Sequence, residues 1–313
     1  MMPAEMRAVR MHEFGEPEVL RVESVPVPAR GAGQVLVRVD AAGVNPIDWK
    51  MRRGLGSARD LPRPSTLGYD MSGTVIDGDA GSPWRAGDLV FGMVNFHSPA
   101  GCYADYVVAP IAQIARIPAG LSHVNAAALP LAALTAWQAV HDTAQVQRGD
   151  RVLVHAAAGG VGHLAAQFAK RAGAHVIGTA SARNHDFVRS LGVDEVIDYS
   201  GVRFEEVVGE IDAAIETTGS QDVANRTALV MRGGGRIVSL IGAVKLEPLR
   251  ARGANAGYMI VHADAEQLAR IGALVASGEV RLQIDRVMPL ESAAEAHRLS
   301  EGGRTRGKLV LAM

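Results

Sequence analysis

Apolar and polar positions follow two different rhythms along this chain, and the change of rhythm marks its organisation. Up to about Leu121 the apolar residues come in short strand-like runs separated by Gly and Pro. Residues 34–42 (QVLVRVDAA) alternate with period two, residues 67–76 hold a glycine-flanked strand, and residues 88–94 and 103–109 give two more. This texture predicts a β-rich, barrel-like domain. From His123 it changes. Residues 126–143 read as helix, and strands then alternate with helices at Val152, Val176, 195–197, 213–215, 236–239 and 259–261. Six strands with intervening helices predict a doubly wound parallel sheet. After His262 come a helix over 265–276, with Leu268, Ile271 and Val275 on one face, a strand at 284–288, a helix at 292–300 and a strand at 308–312. That tail is too long for a cap and is expected to rejoin the first domain. The predicted organisation is an α/β fold in which residues 122–261 are inserted between residues 1–121 and 262–313.

Residues 150–178 carry the most specific local pattern. Arg151-Val152-Leu153-Val154 reads as a buried strand, Ala157-Ala158-Gly159-Gly160-Val161-Gly162 as a tight turn, residues 161–172 as an amphipathic helix closed by Gly173, and residues 175–178 as a second strand. A strand feeding a glycine turn that opens a helix is the arrangement that brings backbone close to a pyrophosphate. The unpaired N–H groups and the dipole of the helix N-terminus favour an anion there. The first position of the glycine pattern is Ala157 rather than Gly, so the flanking strand and helix carry the assignment.

Composition narrows the classes. With 313 residues, 48% of them hydrophobic, the chain can bury a large core. A formal net charge of -1 gives no electrostatic case for nucleic acid or an anionic membrane. Residues 126–140 are the most apolar run but are interrupted by Pro130, Thr135 and Gln138, so no bilayer span is expected. The single cysteine, Cys102, allows neither a disulfide framework nor a multi-cysteine metal site, in keeping with a reducing cytoplasm. His97, His123, His141 and His155 are not paired at metal-ligand spacing and read as surface or polar-network histidines.

Several segments in one order then point to a family. They are GVNPID at 43–48, LGYDMSGTV at 67–75, GDLVFG at 87–92, GCYADY at 101–106, LTAW at 134–137, the glycine turn, and RGKLVL at 306–311. The chain resembles the medium-chain dehydrogenase/reductase superfamily, in particular its zinc-independent quinone reductase branch. The resemblance covers nearly the whole length and implies a GroES-like substrate domain, a Rossmann cofactor domain and a cleft between them. Zinc-dependent relatives keep a cysteine ligand where this chain has Asn45 and a His-Glu pair where it has Tyr69-Asp70, so no metal is expected. Without that Lewis acid, reduction of an electrophilic acceptor is favoured over alcohol oxidation.

For the coenzyme, an NAD site usually places an acid about twenty residues past the turn. Here the second strand runs into Thr179-Ala180-Ser181-Ala182-Arg183, and Asp186 already lies in the next helix. Ser181 and Arg183 can hold a 2′-phosphate, which points to NADPH; a solvated Arg183 is the alternative. The resemblance implies that Ala158, Gly159, Gly160, Val161, Thr179, Thr135, Tyr199, Thr217, Thr218, Ser239 and Ile241 line the coenzyme. Arg306 and Lys308 either approach it from the C-terminal loop or form a solvated basic turn. Glu216 has no assigned role.

On the substrate side the resemblance places Asn45, Lys50 and Tyr69. The Asn45 amide is expected to face the nicotinamide and donate to the substrate carbonyl. Lys50 stands where quinone reductases near the founding type carry Tyr, and resembles the reductases of alkenals and enones. It either orients the acceptor and supplies a proton or forms a salt bridge. Tyr69 is a proton donor or a packing tyrosine with a satisfied hydroxyl. Asp48 is read as holding its loop, and solvent as a source of the final proton. The expected function is NADPH-dependent hydride transfer to a quinone or α,β-unsaturated carbonyl. The competing reading is an NADPH-binding protein with a structural, sensory or RNA-binding role. Relatives usually form homodimers through the cofactor domains, and residues 231–242 are the candidate edge.

Overall fold

A computed structural model describes residues 2–56, 58, 61–96, 98 and 100–313. His97 lies outside the described residues. The chain divides into two compact units, Met1–Leu134 with His262–Met313, and Thr135–Val261.

The first unit opens with β1 (Glu5–Met11), β2 (Leu20–Pro26), β3 (Gln34–Val44), the helix α1 (Pro46–Arg52), β4 (Ser65–Thr66), β5 (Asp70–Gly78), β6 (Leu89–Met93), β7 (Tyr106–Pro110) and β8 (Ile114–Arg116). Two helices follow, α2 (His123–Ala128) and α3 (Pro130–Trp137). β3 has its odd-numbered valines Val35, Val37 and Val39 in the core, as its period-two pattern requires. Pro46 sits at the first position of α1, where its missing N–H is not needed.

The second unit contains β9 (Arg151–Val154), α4 (Gly162–Arg171), β10 (His175–Ala180), α5 (His185–Ser190), β11 (Glu195–Asp198), α6 (Phe204–Val207), β12 (Ile211–Glu216), α7 (Gln221–Thr227), β13 (Met231–Ser239), α8 (Glu247–Arg250) and β14 (Asn255–Tyr258). Among the described residues these strands form one parallel sheet in the order β11-β10-β9-β12-β13-β14. Order reverses between β9 and β12, the switch point at which ligands bind outside the carboxyl ends of such sheets. The chain then returns to the first unit through α9 (Ala265–Ala276), β15 (Ile284–Pro289), α10 (Ala293–Glu301) and β16 (Lys308–Ala312). β16 joins β3 antiparallel, so that Leu311 lies opposite Ala42. The described part of that sheet runs β15-β16-β3-β5-β6-β8, with β7 also paired to β3.

Four expectations need correction. The first boundary falls at 134/135 rather than 121/122, because α2 packs on β3, β5 and β16; Ala127 and Ala128 share a core with Ala41 and Val310, and Ser72 donates to the His123 carbonyl at 2.7 Å. The sixth strand lies at Asn255–Tyr258, not 259–261: the ladder with β13 ends at Tyr258, and of the apolar run beyond it Val261 is buried but Ile260 is 71% exposed. The strand proposed as an edge, β13, is interior, flanked by β12 and β14. α4 also departs from the amphipathic pattern, since residues 162–169 are all buried. The small side chains Ala165, Ala166 and Ala169 let it pack on β9 and β10, while a π-helical turn at Gln138–Thr143 closes over it through Trp137, His141 and Phe168.

Candidate active site

In the second unit the turn after β9 is tied down before any ligand arrives. Ala156 takes a positive φ of 47°, and Gly159 donates to its carbonyl at 2.8 Å. A Cβ on Gly162 would stand 2.2 Å from that same carbonyl oxygen, and one on Gly178 would meet the Ala157 Cβ at 2.9 Å. Only glycine lets the helix start and the neighbouring strand approach this closely, as a pyrophosphate-binding turn requires. This cradle fits a dinucleotide. Ala158, Gly159, Gly160 and Val161 precede α4; with the Gly159 amide on the Ala156 carbonyl, the amides of Gly160 and Val161 belong to the anion-attracting end of the helix.

Thr179 has a different task from the one expected. Its hydroxyl is 3.2 Å from the amide of Ala156 and 3.2 Å from His155 Nδ1, and it is buried. The Thr227 hydroxyl donates to the Val223 carbonyl, so it accepts from His155 Nε2 at 2.8 Å, which fixes the neutral tautomer. Burial pushes the His155 pKa down to about 3. Thr217 donates to the His155 carbonyl at 2.8 Å. Glu216 acquires a role: its buried carboxylate accepts from the amides of Thr218 (2.7 Å) and Gly219 (3.1 Å) and from the Thr218 hydroxyl. It therefore shapes the exit of β12 beside Ser239, which donates to the Ile241 carbonyl at 3.2 Å. Side chains of Thr179, Thr217, Thr218 and Ser239 are thus spent on holding the carboxyl edge of the sheet. Ser181 accepts from Asn184, while Arg183 and Tyr199 are exposed. Asp198, opposite Ala180 in the register, has its carboxylate on the amide and hydroxyl of Ser200. Thr135, the first residue of this unit, is buried within α3.

In the first unit, α1 begins over a buried polar cluster. Asp48 returns its Oδ2 to the amide of Asn45 at 2.8 Å, in the manner of a capping box, and also accepts from the Tyr103 hydroxyl at 2.8 Å. Asn45 Nδ2 donates to Asp70 Oδ2 at 2.8 Å, and the amide of Leu131 donates to Asp70 Oδ1 at 2.9 Å. Lys308 Nζ donates to the Val44 carbonyl at 3.0 Å and to Asn45 Oδ1, and stands 3.8 Å from Asp70 Oδ2. Burial raises Asp48 to about 7 and Asp70 to about 6, opposed in each case by bonds to the charged form. Desolvation lowers Lys308, against the pull of Asp70 and Asp48.

This cluster corrects two assignments. Asn45 is 1% exposed with its amide bonded at both ends, so it organises the turn and does not present itself to a substrate. Lys308 is neither a coenzyme ligand nor a solvated turn; it is the first residue of β16 and buried. Arg306, two residues earlier, is exposed. Asp48 does hold its loop, through Asn45 and Tyr103. Tyr103 and Asp70 were absent from the expected site, although acids and a lysine within apolar strand runs announce buried partners.

Lys50 and Tyr69 remain as groups able to act. Lys50 is half-buried, lies 5.6 Å from the Trp49 ring centroid and has no carboxylate partner among the described residues. Desolvation lowers its pKa. Tyr69 packs edge-on against Phe96 at 5.2 Å, and its hydroxyl makes no hydrogen bond among the described residues; burial raises its pKa. Among the described residues no group of three or more His, Cys, Asp or Glu side chains could hold a metal ion, and no helix is long and apolar enough to cross a membrane.

Comparison with known proteins agrees with this construction. Residues 31–119 match the alcohol dehydrogenase GroES-like domain family and residues 191–311 the zinc-binding dehydrogenase family. The chain is 33% identical to the NADPH-dependent alkenal/one oxidoreductase of Arabidopsis thaliana, over 99% of this chain and 80% of that protein. It is 33% identical to the quinone oxidoreductase of Homo sapiens, over 98% and 97%. The quinone oxidoreductase structure from Coxiella burnetii superposes with a TM-score of 0.95 at 40% identity, covering 99% of both chains. With both domain types, the order of strands and near-complete coverage in agreement, the chain belongs to the medium-chain dehydrogenase/reductase superfamily, in its quinone reductase branch.

Proposed function

We propose that this oxidoreductase is a zinc-independent reductase that uses NADPH to reduce a quinone or an α,β-unsaturated carbonyl. The observation that carries the reading is Lys50, a half-buried amine on the helix that Asn45 starts, without a carboxylate partner among the described residues. An ammonium destabilised by desolvation gives up its proton more readily than a surface lysine, and still polarises a carbonyl oxygen. Lys50 is thus suited to meet the oxyanion that develops on the acceptor, with the Tyr69 hydroxyl, which makes no hydrogen bond among the described residues, as a second donor. The named relatives reduce acceptors of this electrophilic kind, which supports the enzyme reading over a purely structural or RNA-binding one.

When bound, NADPH supplies the hydride. The backbone of residues 158–161 would hold its pyrophosphate, and Ser181 and Arg183 its 2′-phosphate. The preference for NADPH is supported by the absence of an acid at the end of β10 and by the engagement of Asp198 with Ser200. Zinc independence is supported by Asn45 and Asp70, whose polar atoms are already bonded to one another, to Lys308 and to the Leu131 amide. A homodimer joined along β14 and a cytoplasmic setting complete the reading. Loss of reduced-nicotinamide absorbance with a panel of quinones, alkenals and enones tests it. Turnover of at least one acceptor class without added zinc is expected; tight NADPH binding with no turnover across the panel overturns it.

A further inference from the structure

Lys308 is the one basic side chain among these to reach the buried cluster beneath α1. It reaches there from the far end of the sequence, and its path is fixed. Gly307 has a φ of 77°, and a Cβ on it would stand 2.1 Å from the Gln283 carbonyl oxygen, so β16 can enter in only one way. The ammonium then meets three oxygens of three kinds: the Val44 carbonyl at 3.0 Å, the Asn45 amide oxygen, and Asp70 Oδ2 at 3.8 Å. Carbonyl, amide and carboxylate oxygens are the donors that hard monovalent and divalent cations take. Each of those residues also fixes the start of α1. Val44 and Asn45 lead into it, and Asp70 holds the Asn45 amide nitrogen. Take the charge away and two buried carboxylates, Asp48 and Asp70, face each other across Asn45 with no cation between them.

We propose that Lys308 is a positioning residue for the chemistry on α1: its ammonium is a resident cation in an oxygen cage built by Val44, Asn45 and Asp70, and the cage sets the turn that places Lys50. Its catalytic consequence rests on the role given to Lys50 above; the cage itself does not. Truncation at Cβ removes three methylenes with the amine and leaves a slot of short alkylammonium size inside the first unit.

Lys308→Ala and Lys308→Met separate the possibilities. Lys308→Ala is expected to lose about tenfold or more in kcat, the scale of a displaced catalytic group, with the KM for NADPH changed less than about twofold. Ethylammonium or propylammonium, but not tetramethylammonium, should restore kcat saturably and raise the unfolding temperature of this variant alone. Lys308→Met fills the space without charge and should be neither active at the parent level nor rescued. Parent-like kcat in Lys308→Met, or a Lys308→Ala protein indifferent to small cations, overturns the proposal. If neither variant folds, nitrogen-15 lysine NMR of the unmodified protein decides: one slowly exchanging protonated side-chain nitrogen near neutral pH supports the cage, and a neutral amine sinks it. If the unmodified protein reduces no acceptor, the functional reading fails, while the cation dependence of unfolding still judges the cage.

Discussion

A titratable side chain acts only as its surroundings allow, and Lys50 and Arg183 sit in opposite surroundings. Lys50 is partly desolvated, so its acid form is held less tightly than on a surface. Used as a proton donor, it gives an activity that falls as pH rises through this lowered pKa, a limb below the ordinary lysine range. Lys50→Met should remove that limb and lower kcat with an enone by about a hundredfold, within the range of general acid contributions, with little change in the KM for NADPH. An unaltered pH profile in the variant would contradict the role. Arg183 is exposed at the end of β10, where a charge-assisted bond to a 2′-phosphate is available. Arg183→Ala should raise the KM for NADPH about tenfold, roughly one strong hydrogen bond, and leave that for NADH nearly unchanged; equal effects on both coenzymes would refute the assignment. The difference between these residues and Lys308 also shows where sequence is readable. Exposed charges next to a glycine turn can be interpreted from spacing alone. The pairing of Lys308 with Asn45 spans 263 positions and depends on β16 lying beside β3, which no local pattern reveals.

Elements show the same divide. The turn before α4 was legible because its demand is local: Gly162 must be glycine to lie against the Ala156 carbonyl. Gly162→Ala places a methyl 2.2 Å from a backbone atom that cannot swing aside. A stability loss of about 1–3 kcal/mol is expected, as for other overpacked sites, together with weaker NADPH binding by calorimetry. Unchanged affinity would mean that the turn does not hold the pyrophosphate. β14 was misplaced by a few residues because apolarity at 259–261 suggested burial, whereas the strand follows the ladder with β13. The seam between α1 and α10 was not legible at all. There Arg52 bonds Glu301 at 2.8 Å, and Tyr103 lies edge-on to His297 at 5.8 Å between ring centroids. Desolvation, aided by Arg52, depresses His297 to about 3. It stays neutral in the fold while the unfolded chain binds a proton below about pH 6.5, so its contribution is present above that pH and lost as pH falls towards 3. His297→Leu cannot titrate. Its stability relative to the parent, from urea unfolding, should therefore improve by about 2 kcal/mol between about pH 7 and pH 5. A pH-independent difference would show that His297 titrates alike in the folded and unfolded chain, so that burial does not depress it.

At the scale of the whole molecule, what remains open in the parallel sheet is its two edges, and they are unlike. β11 presents Glu195 and Asp198 and is flanked by the Lys170–Asp194 and His175–Glu195 pairs at 2.7 and 2.6 Å. Charge of this density blunts an edge against pairing. β14 carries no charged side chain; its sequence is NAGY, with Tyr258 at 45% exposure and Ile260 just beyond it at 71%. Although Arg250 Nε donates to the Ala256 carbonyl of this strand at 3.0 Å, an edge with exposed apolar side chains is the one expected to recruit another strand. A second copy of the same edge satisfies it most simply, because a two-fold axis makes one patch complementary to itself. Composition could not reveal this, since a net charge of -1 says nothing about where the charges lie. Light scattering should give about twice the chain mass of 32.9 kDa. Ile260→Asp combined with Tyr258→Asp puts like charges on both sides of the axis and should yield a folded monomer that still binds NADPH. A dimer that survives both substitutions would place the interface elsewhere, and a monomeric parent would remove it.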